Sequence, residues 1–244
     1  MCYHVSVTIK GLGLAKRFKA RFPEAKVFKP VYHASAFSFP FLPVITNRDA
    51  QKIQLFRWGL VPHWVKDEKS AETMRIYTLN AKAETVFEKP SFRSSIKAKR
   101  CLVLVDGFYE WQHVGKKAYP YYVALKKHAP FALGGIWDEW VHPKTGELFS
   151  TFSIVTTRAN SLMEKIHNTK KRMPLVLEKA DETQWLRNDL DEEQVKSMLV
   201  PFDPGKLAAH TISKLITDRT RSSNVPAVTE NYTYPELAKK AERE

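Results

Sequence analysis

Residues 101–113, CLVLVDGFYEWQH, join an apolar run to an aromatic one through Asp106-Gly107, and they read as strand, turn and strand. The same grammar recurs along the chain. YHVSVTI (3–9) alternates and carries β-branched residues, so a strand is expected almost at the N-terminus, anchoring Cys2 against a sheet. KIQLFRWGLVPHW (52–64) reads as a strand that leaves through a glycine and a proline. VGKKAYP (114–120) is a hairpin tip before the strand YYVAL, and HPKTG marks a turn between the strands of 131–157. RMPLVL (172–177) is a further strand, and ASAFSFPFLPVITN (34–47) is extended because its prolines forbid helix.

Helical signals are short and scattered. LAKRFKARF (14–22) is basic and amphipathic, Asn160 is an N-cap for the segment ending at His167, and two short helices are expected around DETQWLR and DEEQVKSML. The fold class is therefore α+β: a single domain on a curved, largely antiparallel, barrel-like β-sheet with peripheral helices. The boundaries expected are 1–234 for the domain and 235–244 for a polar tail that frays. No window is long and apolar enough to span a membrane, and no signal peptide opens the chain. The simplest compartment is the cytoplasm, or the nucleoid in a bacterium.

Lys and Arg number 39 against 26 Asp and Glu, a formal net charge of +13, which makes a polyanion such as nucleic acid a natural partner. The two cysteines, Cys2 and Cys101, build no disulfide framework and have no zinc spacing, and Cys101 lies in an apolar run as a packing residue. No metal or cofactor is called for, since no Gly-rich phosphate loop, metal signature or GxSxG elbow occurs.

Cys2 is chemically distinctive. Once Met1 is removed, it offers an α-amine and a thiol on adjacent carbons. A free α-amine titrates about 2.6 units below a lysine, so its nucleophilic fraction near neutrality is roughly 400 times larger. It can form a Schiff base with an aldehyde, and the thiol can then close on the imine carbon as a thiazolidine. The thiolate could instead attack an acyl carbon, with the amine as its base.

Other residues read two ways. Asn80, Lys82 and Glu84 share a face if NAKAET is extended, where Asn80 could hold an amine or sugar oxygen and Lys82 a phosphate; otherwise the stretch is a turn into a helix. Glu110, bracketed by Phe108, Tyr109 and Trp111, is either a desolvated proton shuttle or an exposed strand glutamate. His167 is either a general acid or base or a helix C-terminal histidine, and Lys170, Lys171 and Arg172 either clamp phosphate or are solvated. Trp58, Trp64 and Trp111 could stack on bases or pack in the core, and the Thr156 hydroxyl could meet a phosphate.

In this order, Cys2, WGLVPHW, NAKAET, DGFYEW, SIVTTRAN and IHNTKKRMPLVL resemble the SRAP family, the SOS-response-associated peptidase domain of abasic-site processing proteins. The resemblance implies a compact α+β domain with a barrel-like sheet and a basic DNA groove. It implies that an exposed Cys2, after Met1 removal that could be autoproteolytic, crosslinks to abasic sites in single-stranded DNA. It assigns Asn80 to orient the cysteine, Glu110 to proton transfer and crosslink reversal, and His167 to sugar opening and proton handling. The DNA contacts expected are Lys82, Trp58, Trp64, Trp111, Thr156, Lys170, Lys171 and Arg172, with the arginines of 219–221 beside them. A monomer acting on abasic single strands is implied; the alternatives are an N-terminal-nucleophile peptidase or amidohydrolase, and a noncovalent single-strand binder. Many members begin Met-Cys-Gly-Arg, whereas Tyr3 and His4 follow Cys2 here, and Lys82 stands where an arginine often occurs.

Overall fold

The computed structural model describes residues 2–237. Its strands are His4–Val7 (β1), Val31–Ser35 (β2), Phe41–Thr46 (β3), Asp49–Trp58 (β4), Asn80–Lys82 (β5), Arg100–Val105 (β6), Gly107–Val114 (β7), Lys117–Leu125 (β8), Phe131–Val141 (β9), Leu148–Arg158 (β10), Arg172–Pro174 (β11) and Leu207–Thr211 (β12). Its α-helices are Gly11–Phe18 (α1), Glu68–Tyr77 (α2), Arg93–Ala98 (α3), Ser161–Ile166 (α4), Asp181–Trp185 (α5) and Glu192–Ser197 (α6). This is the single-domain α+β architecture that the strand pattern predicts.

Strands β10, β4, β3, β6 and β9 close on themselves, because β9 pairs β6 on one side and β10 on the other. All contacts around this small barrel are antiparallel except β10 with β4. Closure removes the unpaired edges that an open sheet would expose. Every residue of β6, RCLVLV, is buried, so the strand shows a continuous apolar run instead of alternation.

Strand β10 changes partners along its length. Thr151 and Phe152 pair with Arg57 and Trp58 of β4, whereas Ile154 to Thr156 pair with Asn80 to Lys82 of β5. On the other side β9 gives way to β11, where Thr156 faces Pro174. One half of β10 thus belongs to the barrel and the other half carries the short NAK and RMP strands beyond it.

The second sheet is antiparallel, in the order β12-β8-β7-β1-β2. The two strands flanking Asp106-Gly107 do not pair with each other: β6 lies in the barrel and β7 in the second sheet. The turn signal there is a crossing between layers. Asp106 fastens the crossing to β1, with Oδ1 accepting from Ser6 Oγ (2.6 Å) and Oδ2 accepting from Thr8 N (2.5 Å), Thr8 Oγ1 (2.6 Å) and Ile9 N (3.1 Å). A Cβ at Gly107 would lie 2.3 Å from the Tyr122 ring, so only glycine permits this approach. The N-terminal strand is therefore held from inside, and with it Cys2.

The outer face of this sheet is covered by the C-terminal segment, where Ile212, Ile216 and Val228 pack on Tyr109, Tyr122 and Ala124. The hairpin tip falls at Gly115, with φ +58°, and the turn near 146 likewise has Gly146 at φ +72°. Helix α1 stops at Phe18 because Lys19 adopts φ 52°, short of the predicted Phe22. The strand expected over 172–177 pairs as one only through Pro174, although Val176 makes an isolated bridge to Leu133. Of the tail 235–244, residues 235–237 are helical, with Glu236 Oε1 accepting from Tyr119 Oη at 3.1 Å, and residues 238–244 lie outside the described residues.

Candidate functional site

Cys2 lies two residues ahead of β1 and is fully buried in the chain that still carries Met1. Its Sγ lies 3.9 Å from the His4 carbonyl oxygen. Burial first, and then the neighbouring Glu110 carboxyl, push the thiol well above its ordinary pKa. Both effects penalise a thiolate.

Glu110 sits on β7, two residues beyond Phe108, which faces Val5 of β1. Strand alternation therefore sends the Phe108 and Glu110 side chains to the same face. Glu110 is 4 % exposed, and burial raises its pKa to about 8. Near neutrality it is mostly the protonated acid. The exposed-strand reading of Glu110 is thereby set aside.

His167 ends α4, which packs against β7. Asn160 caps α4 by accepting from Met163 N at 2.9 Å, and the helix ends with the His167 N–H donating to the Met163 carbonyl. The His167 Nδ1 lies 2.9 Å from the Arg172 carbonyl oxygen and 3.5 Å from Glu110 Oε1. A carbonyl only accepts, so Nδ1 carries the hydrogen and Nε2 keeps a lone pair. Burial is the main cause that lowers the His167 pKa to about 4, so the ring is neutral. A neutral acid and a neutral base, shifted in opposite directions, thus stand side by side next to Cys2.

Arg172 ties this pair to the far half of β10. Its Nη2 donates to the Thr156 carbonyl (2.6 Å) and hydroxyl (3.1 Å), and its Nη1 donates to Glu84 Oε1. Asn80, opposite Ile154, is 7 % exposed, and neither amide atom of its side chain has a hydrogen-bond partner among the described residues. Such a group is set to receive a substrate oxygen or nitrogen. Lys82 is exposed at the end of β5, while Glu84 lies in the short 3-10 turn that follows, so NAKAET is strand and then turn.

Several expected DNA contacts are otherwise employed. Trp58 is fully buried, stacked on Phe152 with Nε1 donating to the Leu79 carbonyl, so no base can reach its face. Thr156 is fully buried and its hydroxyl serves Arg172, so it offers no phosphate contact. Arg172 is half-buried and paired to Glu84, and so is not a free clamp. Trp111 is half-buried, edge-on to His4 at 5.0 Å. Trp64 is 44 % exposed, and Lys170 and Lys171 are exposed.

A cleft of about 480 Å³ opens beside Glu84 and Thr157, lined also by Arg158, Glu88 and the α6 ion pair Lys196–Glu192. It carries both signs of charge, unlike a uniformly basic groove.

Sequence reasoning missed His33. Its Nε2 lies 2.8 Å from His4 Nδ1 and its Nδ1 lies 2.7 Å from Ser223 Oγ. Burial lowers both rings, His4 to about 3 and His33 to about 4. His4 is therefore neutral and supplies no charge in place of an arginine. The alternating VYHAS strand held no cue that His33 would meet His4 across β1 and β2.

A family model described as SOS response associated peptidase (SRAP) matches residues 1–219. The abasic site processing protein YoqW of Bacillus subtilis is 35% identical over 212 residues, covering 86% of this chain and 89% of its own. The abasic site processing protein HMCES of Gallus gallus is 34% identical over 182 residues, 66% of this chain and 52% of its own. A crystal structure of a protein from Bacteroides thetaiotaomicron superposes with a TM-score of 0.90 at 39% identity, covering 95% of this chain and all of that one.

Proposed function

The chain belongs to the SOS response associated peptidase (SRAP) family, and from that premise we propose that it captures abasic sites in single-stranded DNA as a covalent adduct of Cys2. The names of its relatives supply the abasic site. The observation that carries the chemistry is the Glu110–His167 pair beside Cys2, one a protonated acid and the other a neutral base.

Removal of Met1 frees the Cys2 amine. The abasic sugar in its ring-opened form presents an aldehyde carbon. The amine attacks that carbon, and the carbonyl electron pair moves to oxygen, which takes a proton from the Glu110 carboxyl. His167 Nε2 accepts the proton released by the new ammonium. The carbinolamine hydroxyl leaves as water on reprotonation, giving an imine. The Cys2 sulfur then bonds to the imine carbon and its proton goes to nitrogen, closing a thiazolidine with one water lost overall. Asn80 holds the sugar oxygen or the amine, and exposed Lys82, Lys170 and Lys171 take flanking phosphates.

This order of events fits the thiol's environment. A peptidase that leads with thiolate needs a depressed thiol pKa, whereas burial and Glu110 raise that of Cys2. Here sulfur acts second, as an intramolecular nucleophile at high effective concentration.

The test is a denaturing gel with single-stranded DNA containing one abasic site. Cys2→Ala is expected to lose the covalent band while keeping salt-sensitive binding in solution. A covalent band of wild-type yield in that variant refutes the reading.

A further inference from the structure

A second cavity, of about 220 Å³, lies against the barrel and is lined by Arg57, Arg75, His142, Thr151 and the α2 glutamates Glu68 and Glu72. Arg57 comes from β4 and Arg75 from the last turn of α2. The Arg75 guanidinium lies 4.4 Å from the Phe39 ring centroid, and its Nε and Nη2 are buried with no hydrogen-bond partner among the described residues. Arg57 Nε donates to the Phe39 carbonyl, and its guanidinium lies over Phe41. Both cations are thus fastened to the same Phe39–Phe41 stretch.

Two guanidiniums this close repel. Burial and the Arg57 charge together bring the Arg75 pKa down to about 10. Glu72 offsets part of this, but among the described residues neither it nor Glu68 makes a salt bridge to either arginine; both glutamates are exposed on α2, and Glu68 lies 3.5 Å from His142 Nε2. Thr151 is already engaged, accepting from Val61 N and donating to the Asp138 carbonyl. Among the described residues, the buried polar atoms of the lining left without a hydrogen bond are therefore the Arg75 Nε and Nη2 donors.

We propose that Arg57 and Arg75 form a phosphate-binding site in this cavity, separate from the Cys2 site. A guanidinium presents parallel donors that match two oxygens of a phosphate, and an oxyanion between the two cations satisfies the buried donors and cancels their repulsion. The cavity is smaller than the roughly 300–1,000 Å³ of drug-sized ligand pockets, which suits one phosphate group and not a whole nucleoside. Arg57 faces Thr151 on β10 and Lys82 faces Thr156, so the two positions lie about 16 Å apart at ~3.3 Å per residue. The occupant is a phosphate, carried either by a DNA backbone passing over both places or by a small free anion. The site does not depend on the covalent chemistry of Cys2.

Calorimetric titration of the full chain with inorganic phosphate, at fixed ionic strength with chloride as the blank, needs no variant. A saturable one-to-one isotherm in the wild type, weakened at least tenfold in Arg75→Gln and in Arg57→Gln and less so in Arg75→Lys, is the expected result. Thermal melts confirm that each variant is folded. The second arm measures how binding of undamaged single-stranded DNA depends on salt. A slope of log K against log[salt] that falls by about 0.7 in Arg75→Gln identifies the backbone as the source, because that is the slope per phosphate for single strands. Saturable phosphate binding with an unchanged slope identifies a free anion. No saturable phosphate binding and no change of slope overturns the site.

Discussion

His167 donates its Nδ1–H to the carbonyl of Arg172 at 2.9 Å, and this single contact fixes which imidazole nitrogen is left as a base. The carbonyl belongs to the residue whose guanidinium grips Thr156 and Glu84, so the tautomer of His167 is coupled to the end of β10. The base is thus oriented by a main-chain carbonyl of the fold.

Adduct formation should follow a bell-shaped pH profile with its maximum near pH 8. The Cys2 amine must be unprotonated, and a free α-amine titrates at about 7.8, so the rate rises through that region. Glu110 must be protonated, and its pKa of about 8 makes the rate fall above it. Single-turnover crosslinking across pH 6–10 measures both limbs. In Glu110→Gln the alkaline fall should vanish, and the maximal rate should drop by about 10²-fold, a usual contribution for a positioned acid. An alkaline limb that persists in the variant removes Glu110 from the chemistry.

Stability should respond to pH in opposite senses at the two residues. The folded pKa of Glu110 is raised, so its contribution is complete below the unfolded value near 4.5 and is lost as pH rises through about 8. Glu110→Gln should therefore melt higher than the wild type at pH 9. The folded pKa of His167 is depressed, so its contribution is present above about 6.5 and is lost as pH falls through about 4. His167→Gln should flatten the melting-temperature profile between pH 6.5 and 4. Scanning calorimetry over pH 4–9 reads both effects.

Asp106→Ala should destabilise the protein by about 2–5 kcal/mol, since it strips a buried acceptor from Ser6, Thr8 and Ile9 together. The same change frees β1 from the barrel crossing, so the adduct yield should fall even at temperatures where the variant stays folded. Asp106→Asn, which keeps one acceptor oxygen, should fall between. Chemical denaturation and crosslinking yield on the same samples check the link between the two.

Arg172→Ala should slow crosslinking while leaving the salt dependence of DNA binding nearly unchanged, because Arg172 is engaged by Glu84 and Thr156 and makes no clamp of its own. Lys170→Ala with Lys171→Ala should do the reverse. Measuring crosslinking rate and salt slope for both variants separates positioning from phosphate contact.

Residues defined by local pattern were legible in the sequence. Asn160 caps its helix, a helix forms within DEEQVKSML, and Gly115 and Gly146 take the positive φ that their turns need. Cys2, Glu110 and His167 stood out because their neighbours set their chemistry. Long-range packing was not legible. Trp58 looked like a stacking surface until Phe152 and Leu79, distant in sequence, enclosed it. Asp106-Gly107 looked like a turn between neighbours, but Ser6 and Thr8, about a hundred residues earlier, make it a crossing between sheets. Arg75 gave no signal, because its meaning depends on Arg57 across the cavity.

The most direct measurement is the intact mass of the product formed from Met1-free protein and an oligonucleotide with one abasic site, followed by thiol alkylation. The account predicts the sum of the two masses less one water, with a single thiol, that of Cys101, remaining to react after denaturation. A product in which two thiols alkylate, or an equal yield from protein that retains Met1, contradicts it.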